Sequence, residues 1–383
     1  MNNNQEPKNL IELARWMKEK GIPDSRRGTY IDRFLEKKAR NQGIPITGNF
    51  ELTPLCNLDC KMCYVHLNNE QYKKTDLLPV ETWKSLIYQA FNAGMRNASI
   101  TGGECLTYPG FDEIYLYFHE LGIAPGILSN GILIDKKIQL LKKYAPKRVQ
   151  ISLYGSSDDT YEKVTGHRAF NTVYRNLELL RDARIPVKIT ITPNAYMRDD
   201  IIPLLEKAHQ LNIPTYINAN LIPPRENTGR TVHDLTIDEY VEIYMTHSRM
   251  SQKEPISVDP MELPDESHEG IKRNGLICGA GRSSFGIRYD GKMCPCLSLG
   301  DITVDALKNG FDIAWKKTND IARNYPLPEE CGLCIYSDRC LPCIAMHTNA
   351  PNPGHCDPRI CERTKKLMAA GFIPLIQKQK DES

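Results

Sequence analysis

The sequence predicts an α/β protein, a partial (β/α)6 TIM-type barrel followed by a small cysteine-rich C-terminal domain. Three observations support this prediction. From residue 49 onward, strand-like runs alternate with helical patterns, which is typical of parallel βαβ units. Several of these runs end in polar or Gly-rich residues, where barrel folds place their active sites. Nine of the thirteen cysteines lie between residues 278 and 361.

The first 48 residues precede the barrel pattern. Residues 8–41 predict one or two amphipathic helices, with a break at Gly21 and Pro23. This segment is predicted to be a helical extension. It lacks the length and strand pattern of a winged leader-peptide-binding module.

Six strand-like runs follow in order: 49–55, 97–103, 124–131, 148–155, 186–193 and 214–224. Helical patterns between them cover 79–93, 111–121, 134–144, 171–183 and 198–210. A helix is predicted at about 236–250. The predicted organisation is an extension (1–48), a barrel (49–250), a linker (251–270), a cysteine-rich domain (271–370) and a tail (371–383). In the cysteine-rich domain, elements are short, and metal rather than a hydrophobic core is expected to organise the chain.

Composition excludes several classes of protein. The chain has 383 residues, of which 41% are hydrophobic, and this is enough for a large core. The 49 Lys and Arg residues nearly balance the 47 Asp and Glu residues, and no basic run indicates nucleic-acid binding. No apolar run approaches the roughly 18 residues of a membrane span, and the N-terminus has no signal-peptide core. We therefore expect a cytoplasmic protein without nucleic-acid or membrane partners.

The stretch "PLCNLDCKMCYVHL" at 54–67 contains Cys56, Cys60 and Cys63 in a C-x3-C-x2-C spacing. In a large cytosolic chain, grouped thiols indicate metal rather than disulfides. A cubane iron–sulfur cluster needs a ligand for each of its four irons, and a tetrahedral zinc ion also needs four. From spacing alone, His66 could complete a zinc site, so both alternatives remain open at this point.

The C-x3-C-x2-C loop after the first strand, taken with the pattern over residues 49–224, resembles the radical SAM superfamily. The resemblance implies that Cys56, Cys60 and Cys63 bind three irons of a 4Fe–4S cluster. The fourth iron would then bind S-adenosylmethionine (SAM). The "GGE" at the end of the second strand resembles a motif of the same superfamily. Gly102 and Gly103 would allow close backbone approach to the ligand, and Glu104 would accept a hydrogen bond from the SAM ammonium.

Other cofactor contacts are implied by the same resemblance. Met62 stands where the superfamily often has an aromatic residue near adenine, and Met can pack there. Asn130 and Ser152 end the third and fourth strands, where polar residues bind the ribose and methionine parts, although Asn130-Gly131 also favours a turn by itself. Arg168 is a candidate partner for the SAM carboxylate. Cys105, which follows "GGE" in place of the more common Pro, is interpreted as a buried structural thiol.

The cysteines of the tail resemble the SPASM extension of that superfamily. Twelve residues, Gly291 and four more residues separate Cys278 from Cys296, and a C-x2-C-x5-C-x2-C run follows, with its last gap one residue short. The resemblance implies two auxiliary 4Fe–4S clusters. The first is assigned to Cys278, Cys294, Cys296 and Cys343, and the second to Cys331, Cys334, Cys340 and Cys361. Cys356 is left over, and two zinc knuckles are the alternative.

Together these features predict a radical SAM/SPASM oxidoreductase that modifies a peptide or small protein, for example by thioether or carbon–carbon crosslinking. "LYGSSDDTYEKVTG" also resembles peptide-modifying members. Leu297, where the sulfatase-maturing branch has an acidic residue, argues against that branch. Such an enzyme would need a flavodoxin- or ferredoxin-type electron donor. Two alternative activities are dehydrogenation of a small alcohol or sugar and tetrapyrrole maturation. A non-enzymatic alternative is an iron–sulfur scaffold or electron-transfer protein, but it would leave "GGE" unexplained. The sequence identifies no general base.

Overall fold

The structure is a computed structural model, and it describes most of the chain. The described residues are 7–65, 67, 69–219, 221–222, 234–251, 275–276, 278–328, 330, 343–347 and 355–370. The expected linker at 251–270 lies outside these residues apart from its first position, and the expected tail at 371–383 lies outside them entirely. The domain boundaries therefore stay predictions.

All six expected strands are present and pair in parallel in sequence order, which confirms the α/β fold and the partial barrel. Their bounds are β1 Thr47–Glu51, β2 Asn97–Thr101, β3 Gly126–Ser129, β4 Arg148–Ser152, β5 Val187–Ile191 and β6 Thr215–Ile217. Because neighbouring strands run in the same direction, their carboxyl ends share one rim.

The helices of the barrel cover its outer face. The described helices up to the end of the barrel are α1 Leu10–Glu19, α2 Asp24–Gln42, α3 Asn69–Lys73, α4 Val80–Asn92, α5 Phe111–Glu120, α6 Ile134–Lys143, α7 Asp158–Thr165, α8 Phe170–Asp182, α9 Ile201–Gln210 and α10 Ile237–Met250. The sequence pattern did not predict α7. This helix follows its N-cap residue Ser157, whose side chain accepts a hydrogen bond from the Thr160 N–H.

The main core lies between the sheet and these helices. Phe50 on β1 is fully buried, and its ring meets those of Phe118 on α5 and Phe285 edge-on, with centroids 5.3 and 5.9 Å apart. Edge-to-face rings of this kind add to the stabilisation from burial alone. The core therefore extends past the barrel into the C-terminal part of the chain.

The C-terminal segment extends the barrel sheet. Strand β7 (Ser284–Ile287) pairs in parallel with β1, and β8 (Lys292–Cys294) and β9 (Val304–Asp305) continue the sheet in antiparallel fashion. The described helices that follow are α11 Ala306–Asn309, α12 Phe311–Asn324, α13 Ile344–His347 and α14 Pro358–Ala369.

For residues 284–315, this arrangement corrects the expectation that metal rather than a hydrophobic core organises the tail. Phe285, Met293, Phe311 and Trp315 belong to the same buried cluster as Phe50. Residues 284–315 are therefore held by apolar packing, because alternate side chains of β7 and β8 and one face of α12 point into the main core. A smaller separate cluster includes Leu276, Leu299 and Ile344.

The N-terminal extension forms two helices, α1 and α2, as expected. Leu13, Met17, Tyr30 and Phe34 form a small core of their own. The extension also contacts the rest of the protein, since Trp315 Nε1 donates to the carbonyl oxygen of Gly43 at 2.7 Å. No helix in the described part of the chain is both long and apolar enough to cross a membrane.

Candidate active site at the carboxyl rim of the sheet

The loop after β1 is fastened to the end of α7. The backbone N–H of Asp59 donates to the carbonyl oxygen of Thr165 at 2.8 Å, and that of Lys61 donates to Val164 at 3.0 Å. Both bonds flank Cys60, which is buried. The loop that carries the three thiols is thus held against a helix that follows β4, on the rim where the strands end.

Cys60 is buried, and Cys56 and Cys63 are partly buried. Burial raises the pKa of the Cys56 thiol to about 12, and negative charge on Glu104 and Cys63 adds to the effect. Thiolates gathered in such a place need a cation to stabilise them, because burial and like charge both disfavour the ionised form. Iron bound by these thiolates supplies that positive charge, so the donor set fits an iron–sulfur cluster.

A single metal ion fits these thiols less well. Within the described ranges, no three His, Cys, Asp or Glu side chains lie close enough together to hold one ion. A tetrahedral zinc site requires four ligands at about 2.0–2.3 Å from one centre, whereas a cubane cluster gives each ligand its own iron. His66, the fourth ligand in the zinc alternative, lies outside the described residues.

Gly102 and Gly103 allow the end of β2 to pack directly on the thiol loop. A Cβ on Gly102 would lie 2.4 Å from the carbonyl oxygen of Thr53, and one on Gly103 would lie 2.5 Å from that of Leu55. Two backbone hydrogen bonds form at this close approach. The Gly103 N–H donates to the Thr53 carbonyl oxygen at 2.7 Å, and the Glu104 N–H donates to that of Leu55 at 2.9 Å. Both glycines also line the cavity described below. The close approach shown here is to protein backbone, a use of glycine that the motif alone did not indicate.

Glu104 is fully buried and joins β2 to β3. Its Oε1 accepts from Ser129 Oγ at 2.9 Å and from the Leu106 N–H at 3.1 Å, and its Oε2 accepts from the Asn130 N–H at 2.7 Å. Burial raises the pKa of Glu104, while these hydrogen bonds act in the opposite direction. The carboxylate does not line the cavity, so direct contact with SAM would require one of its present partners to move.

Asn130 links the end of β3 to the thiol loop. Its Nδ2 donates to Asn57 Oδ1 at 2.7 Å and lies 3.6 Å from the Cys56 sulfur. The side-chain oxygen accepts from the Ile132 N–H at 3.0 Å, which is the turn chemistry expected for Asn-Gly. Hydrogen bonds to ligand sulfurs tune a cluster's electronic properties, so Asn130 fits a role beside the metal.

A cavity of about 630 Å³ opens at this rim, within the usual size range for ligand sites. The three thiols of the loop line it, together with Met62, Ser152 and Asn130. The structure therefore brings these sequence-predicted residues together around one space. Cys105, in contrast, is buried and its thiol lies 3.3 Å from the Leu128 carbonyl oxygen, as a structural thiol would.

The structure does not bring Arg168 to the cavity. Its guanidinium pairs with Asp159 and with Glu162, the latter at 3.1 Å, and more than half of its side chain is exposed. Both carboxylates lie on α7, so the ion pairs stabilise the surface of that helix. His167, the neighbouring residue, lines the cavity instead.

Sequence reasoning missed a polar wall on the far side of the cavity. Gln150, Thr190, Thr192 and Asn218 line it at the ends of β4, β5 and β6. Thr190 is buried, and its hydroxyl has no hydrogen-bond partner among the residues that the structure describes. Ser152 and Thr190 lie opposite each other on adjacent strands. Because side chains alternate between the two faces of a strand, the positions of Gln150, Ser152 and Thr190 in β4 and β5 could have indicated this wall from the sequence.

In the tail, three of the expected ligands are close enough for their charges to affect one another's pKa. The pKa of Cys296 is raised to about 11, mainly by burial, and the charges of Cys343 and Cys278 contribute to this rise. Burial also raises the pKa of Cys343, again with a contribution from Cys278. Cys343 additionally lines the cavity at the barrel rim, so this thiol and the thiol loop border the same space.

Cys294, the fourth expected ligand of the first auxiliary cluster, lies within β8, and its contacts favour a role in packing. Its side chain is fully buried on β8, and its sulfur lies 3.6 Å from the Gly286 carbonyl oxygen on β7. The space above Gly286 is filled by this sulfur and by the Leu297 side chain, since a Cβ there would lie 3.0 Å from the sulfur and 2.8 Å from Leu297. Cys294 is therefore part of the sheet packing.

The remaining expected ligands are only partly described. Cys331, Cys334 and Cys340 lie outside the described residues. Cys361 lies in the first turn of α14, and its sulfur is 2.9 Å from that of Cys356, which the sequence left without a role.

Comparison with known proteins identifies the barrel. Residues 50–196 match the Radical SAM superfamily. The chain is 27% identical over 273 residues to the sporulation killing factor maturation protein SkfB of Bacillus subtilis (strain 168), covering 69% of this chain and 64% of that protein. It is 26% identical over 346 residues to the antilisterial bacteriocin subtilosin biosynthesis protein AlbA of the same strain, covering 87% of this chain and 74% of that protein.

Among solved structures, the fold is similar to that of Streptococcus suis SuiB bound to S-adenosylmethionine. The TM-score is 0.66 at 16% identity, over 92% of this chain and 87% of SuiB. SuiB bound to its precursor peptide SuiA matches over the same shares of both chains, with a TM-score of 0.62 at 17% identity. At this identity the likeness concerns the fold.

Proposed function

Residues 50–196 form a radical SAM domain, and on that premise we propose that this protein is a radical SAM oxidoreductase that modifies a peptide or small protein. One observation carries the proposal. Cys56, Cys60, Cys63 and Cys343 line a single cavity at the carboxyl rim of the sheet. A substrate in that cavity would lie between a SAM-binding centre and a second thiol-bound centre.

The chain's own residues hold and orient the cofactors. A reduced 4Fe–4S cluster with bound SAM supplies a 5′-deoxyadenosyl radical, which removes a hydrogen atom from an unactivated carbon. Cys56, Cys60 and Cys63 bind the cluster, and Asn130 donates toward the Cys56 sulfur. Met62 and Ser152 are at the cavity wall for contact with the adenine and the ribose or methionine parts.

Oxidation of the substrate requires an acceptor for a second electron. Cys278, Cys296 and Cys343 are proposed to bind the first auxiliary cluster, and Cys343 itself lines the cavity. Electron transfer from a substrate radical, or binding of a substrate cysteine thiolate, would then take place within the same cavity. The second auxiliary cluster is proposed to be bound by Cys331, Cys334, Cys340 and Cys361.

The relatives support a peptide as substrate. SkfB is a maturation protein for a killing factor, AlbA takes part in bacteriocin biosynthesis, and SuiB has been solved with a precursor peptide. Thioether or carbon–carbon crosslinking is the proposed outcome, since each removes two hydrogens in total. A flavodoxin- or ferredoxin-type donor would supply the first electron, in the reducing cytoplasm that free thiols require.

The test begins with anaerobic reconstitution and chemical reduction. Wild-type protein should cleave SAM to 5′-deoxyadenosine, measured by liquid chromatography and mass spectrometry. The triple variant of Cys56, Cys60 and Cys63 to Ala should produce none. With a candidate precursor peptide, the product should have lost two hydrogens. 5′-Deoxyadenosine formation by the triple variant would refute the assignment of the thiol loop, and exclusive oxidation of a small alcohol would refute the peptide substrate.

Iron content tests the tail. Three clusters correspond to about twelve irons per chain, and a Cys278/Cys296 double Ala variant should lose about four of them. This variant should still cleave SAM but should not form product. Cys294→Ala is the matched control, because it removes a buried thiol from the same segment. We expect that variant to keep all its iron. Zinc in place of iron in anaerobically prepared wild-type protein would contradict the proposal.

A further inference from the structure

Tyr161 on α7 carries a buried hydroxyl that the proposed chemistry does not yet use. Its side chain has no exposed surface, and the hydroxyl has no hydrogen-bond partner among the atoms of the described residues. Buried polar groups in folded proteins nearly always have such a partner, because an unpaired one keeps its full desolvation cost. This hydroxyl therefore indicates a partner that joins the protein after the chain has folded.

Tyr161 lies on the face of α7 that holds the thiol loop. Val164 and Thr165 follow it by three and four positions, and residues at these spacings are neighbours on a helix. All three are fully buried. The carbonyl oxygens of Val164 and Thr165 accept hydrogen bonds from the backbone N–H groups of the two residues that flank Cys60. Tyr161 is thus part of the helix surface against which the Cys60 segment is fastened.

The charges that act on Tyr161 place its hydroxyl near the thiol loop. Burial raises the pKa of Tyr161, and the negative charges of Cys60 and Glu104 contribute to the same rise. The tyrosine therefore keeps its proton at neutral pH and is available as a hydrogen-bond donor. Its ring also meets that of Tyr154 edge-on, with centroids 6.0 Å apart. Tyr154 and Cys60 both line the cavity, so Tyr161 lies directly behind the cavity wall.

An iron–sulfur cluster at the thiol loop would give this hydroxyl a partner. A thiolate that binds iron carries negative charge and accepts hydrogen bonds, and bonds to charged acceptors are the strong ones. Resting on the proposed function, we propose that the Tyr161 hydroxyl donates a hydrogen bond to the Cys60 thiolate of the SAM-binding cluster and raises the reduction potential of that cluster. Asn130 stands in the same relation to Cys56, since its Nδ2 donates toward that sulfur.

The direction of the effect follows from where the added charge goes. Reduction brings one electron to the cluster, and part of its negative charge spreads onto the ligand sulfurs. A donor beside a ligand sulfur stabilises the reduced form more than the oxidised form, so the potential rises. The tyrosine keeps its proton throughout, and no covalent bond forms or breaks. Tyr161 acts through a ligand and is therefore a positioning residue rather than a catalytic one.

The experiment is a redox titration of the reconstituted holoprotein, followed by electron paramagnetic resonance with and without SAM. The signal that changes when SAM is added belongs to the cluster with an open iron. Tyr161→Phe should keep the wild-type iron content and give this cluster a more negative potential. We expect about a tenfold lower ratio of reduced to oxidised cluster at a given solution potential, which is about 59 mV for one electron. An unchanged potential, or loss of iron, would overturn the proposal.

Tyr115→Phe is the matched control, because it also removes one buried tyrosine hydroxyl. Tyr115 lies on α5, and its hydroxyl donates to the Tyr144 carbonyl oxygen at 2.6 Å. That variant should have a lower free energy of unfolding and an unchanged cluster potential. Cofactor-free Tyr161→Phe should be at least as stable as wild type in urea, because no hydrogen bond between described residues is lost. Lower stability of that variant would show that the hydroxyl serves the fold, and the proposal would fail.

The same titration separates this inference from the proposed function. If no signal of the wild-type protein responds to SAM, or if the responsive signal persists in the triple Ala variant of Cys56, Cys60 and Cys63, the thiol loop holds no SAM-binding cluster. In that case the proposed function fails. A SAM-responsive signal with the same potential in wild type and Tyr161→Phe would leave the proposed function intact and refute the role of the tyrosine alone.

Discussion

Replacement of Glu104 tests whether this residue binds SAM or positions the rim of the sheet. Its carboxylate is fully buried and accepts hydrogen bonds from Ser129 Oγ and from the backbone of Leu106 and Asn130. Asn130 in turn donates to the thiol loop. If the carboxylate positions these elements, its removal should lower the free energy of unfolding even in the absence of cofactors.

The expected magnitude follows from the donors that Glu104→Ala leaves behind. Two buried backbone N–H groups, those of Leu106 and Asn130, lose their acceptor, at about 1–3 kcal/mol each, so the sum is roughly 2–6 kcal/mol. Total stabilities are about 5–15 kcal/mol, so this loss is a large fraction. A role in direct binding of the SAM ammonium predicts instead a loss of about 1.5–3 kcal/mol in binding, or roughly ten- to hundredfold in affinity.

Two measurements separate these roles. Urea unfolding of the cofactor-free protein reports the free energy of unfolding, and titration of the reconstituted protein reports SAM affinity. We expect Glu104→Ala to lower both. Glu104→Gln keeps one side-chain oxygen, so it should restore part of the stability. Unchanged unfolding of Glu104→Ala would refute the positioning role, and unchanged SAM affinity in a folded variant would refute any role in cofactor binding.

The pH dependence gives an independent check on Glu104. Burial raises its pKa above the ordinary 4.5 in the folded state. Folding therefore favours the protonated form, and this contribution to stability is fully present below pH 4.5 and is lost as the pH rises through the raised pKa. Relative to Glu104→Gln, the wild-type free energy of unfolding should fall across that interval. A wild-type curve parallel to that of the Gln variant would show that the environment of Glu104 does not shift its pKa.

Two further substitutions test the rim. Arg168→Ala should leave SAM affinity unchanged within error in a calorimetric titration, because the guanidinium pairs with Asp159 and Glu162 at the surface of α7. A tenfold loss of SAM affinity would show that Arg168 contacts the cofactor. Gly103→Ala should reduce both iron content and SAM cleavage, because the new Cβ would lie 2.5 Å from the Leu55 carbonyl oxygen and push the thiol loop away from β2. Wild-type iron content in that variant would show that the loop can shift and still bind the cluster.

Strand and helix periodicity predicted the barrel well, because its signals are local. The six runs each combine β-branched residues with flanking turns, and every one became a strand of the parallel sheet. Residues at strand ends, such as Asn130 and Ser152, could be assigned to the rim for the same reason. The position of Arg168 could not be predicted in this way, because it follows the short helix α7. Carboxylates on that helix form ion pairs with its guanidinium and hold it away from the cavity.

The join between barrel and tail was not visible in the sequence. Strand β7 pairs with β1, yet more than two hundred residues separate Phe50 from Phe285. Cysteine spacing dominates the local pattern in this region, and it indicates metal rather than packing. The apolar residues of β7, β8 and α12 nevertheless belong to the barrel core. Long-range strand pairing depends on which surfaces fit together, and that information is not carried by any one segment.

Cys294 and Cys296 lie in different local structure although only one residue separates them. Residues two apart in a strand share a face, so a continuous strand would direct both thiols to the same side. The strand ends at Cys294, however, and Pro295 follows, so the chain turns before Cys296 and enters a short 3-10 turn at Leu297–Leu299. Cys294 stays in the sheet against Gly286, whereas Cys296 joins Cys278 and Cys343. Because proline interrupts strand pairing, replacing Pro295 with Ala should leave Cys294 in the core and loosen the position of Cys296, which a weaker auxiliary-cluster signal in electron paramagnetic resonance would reveal.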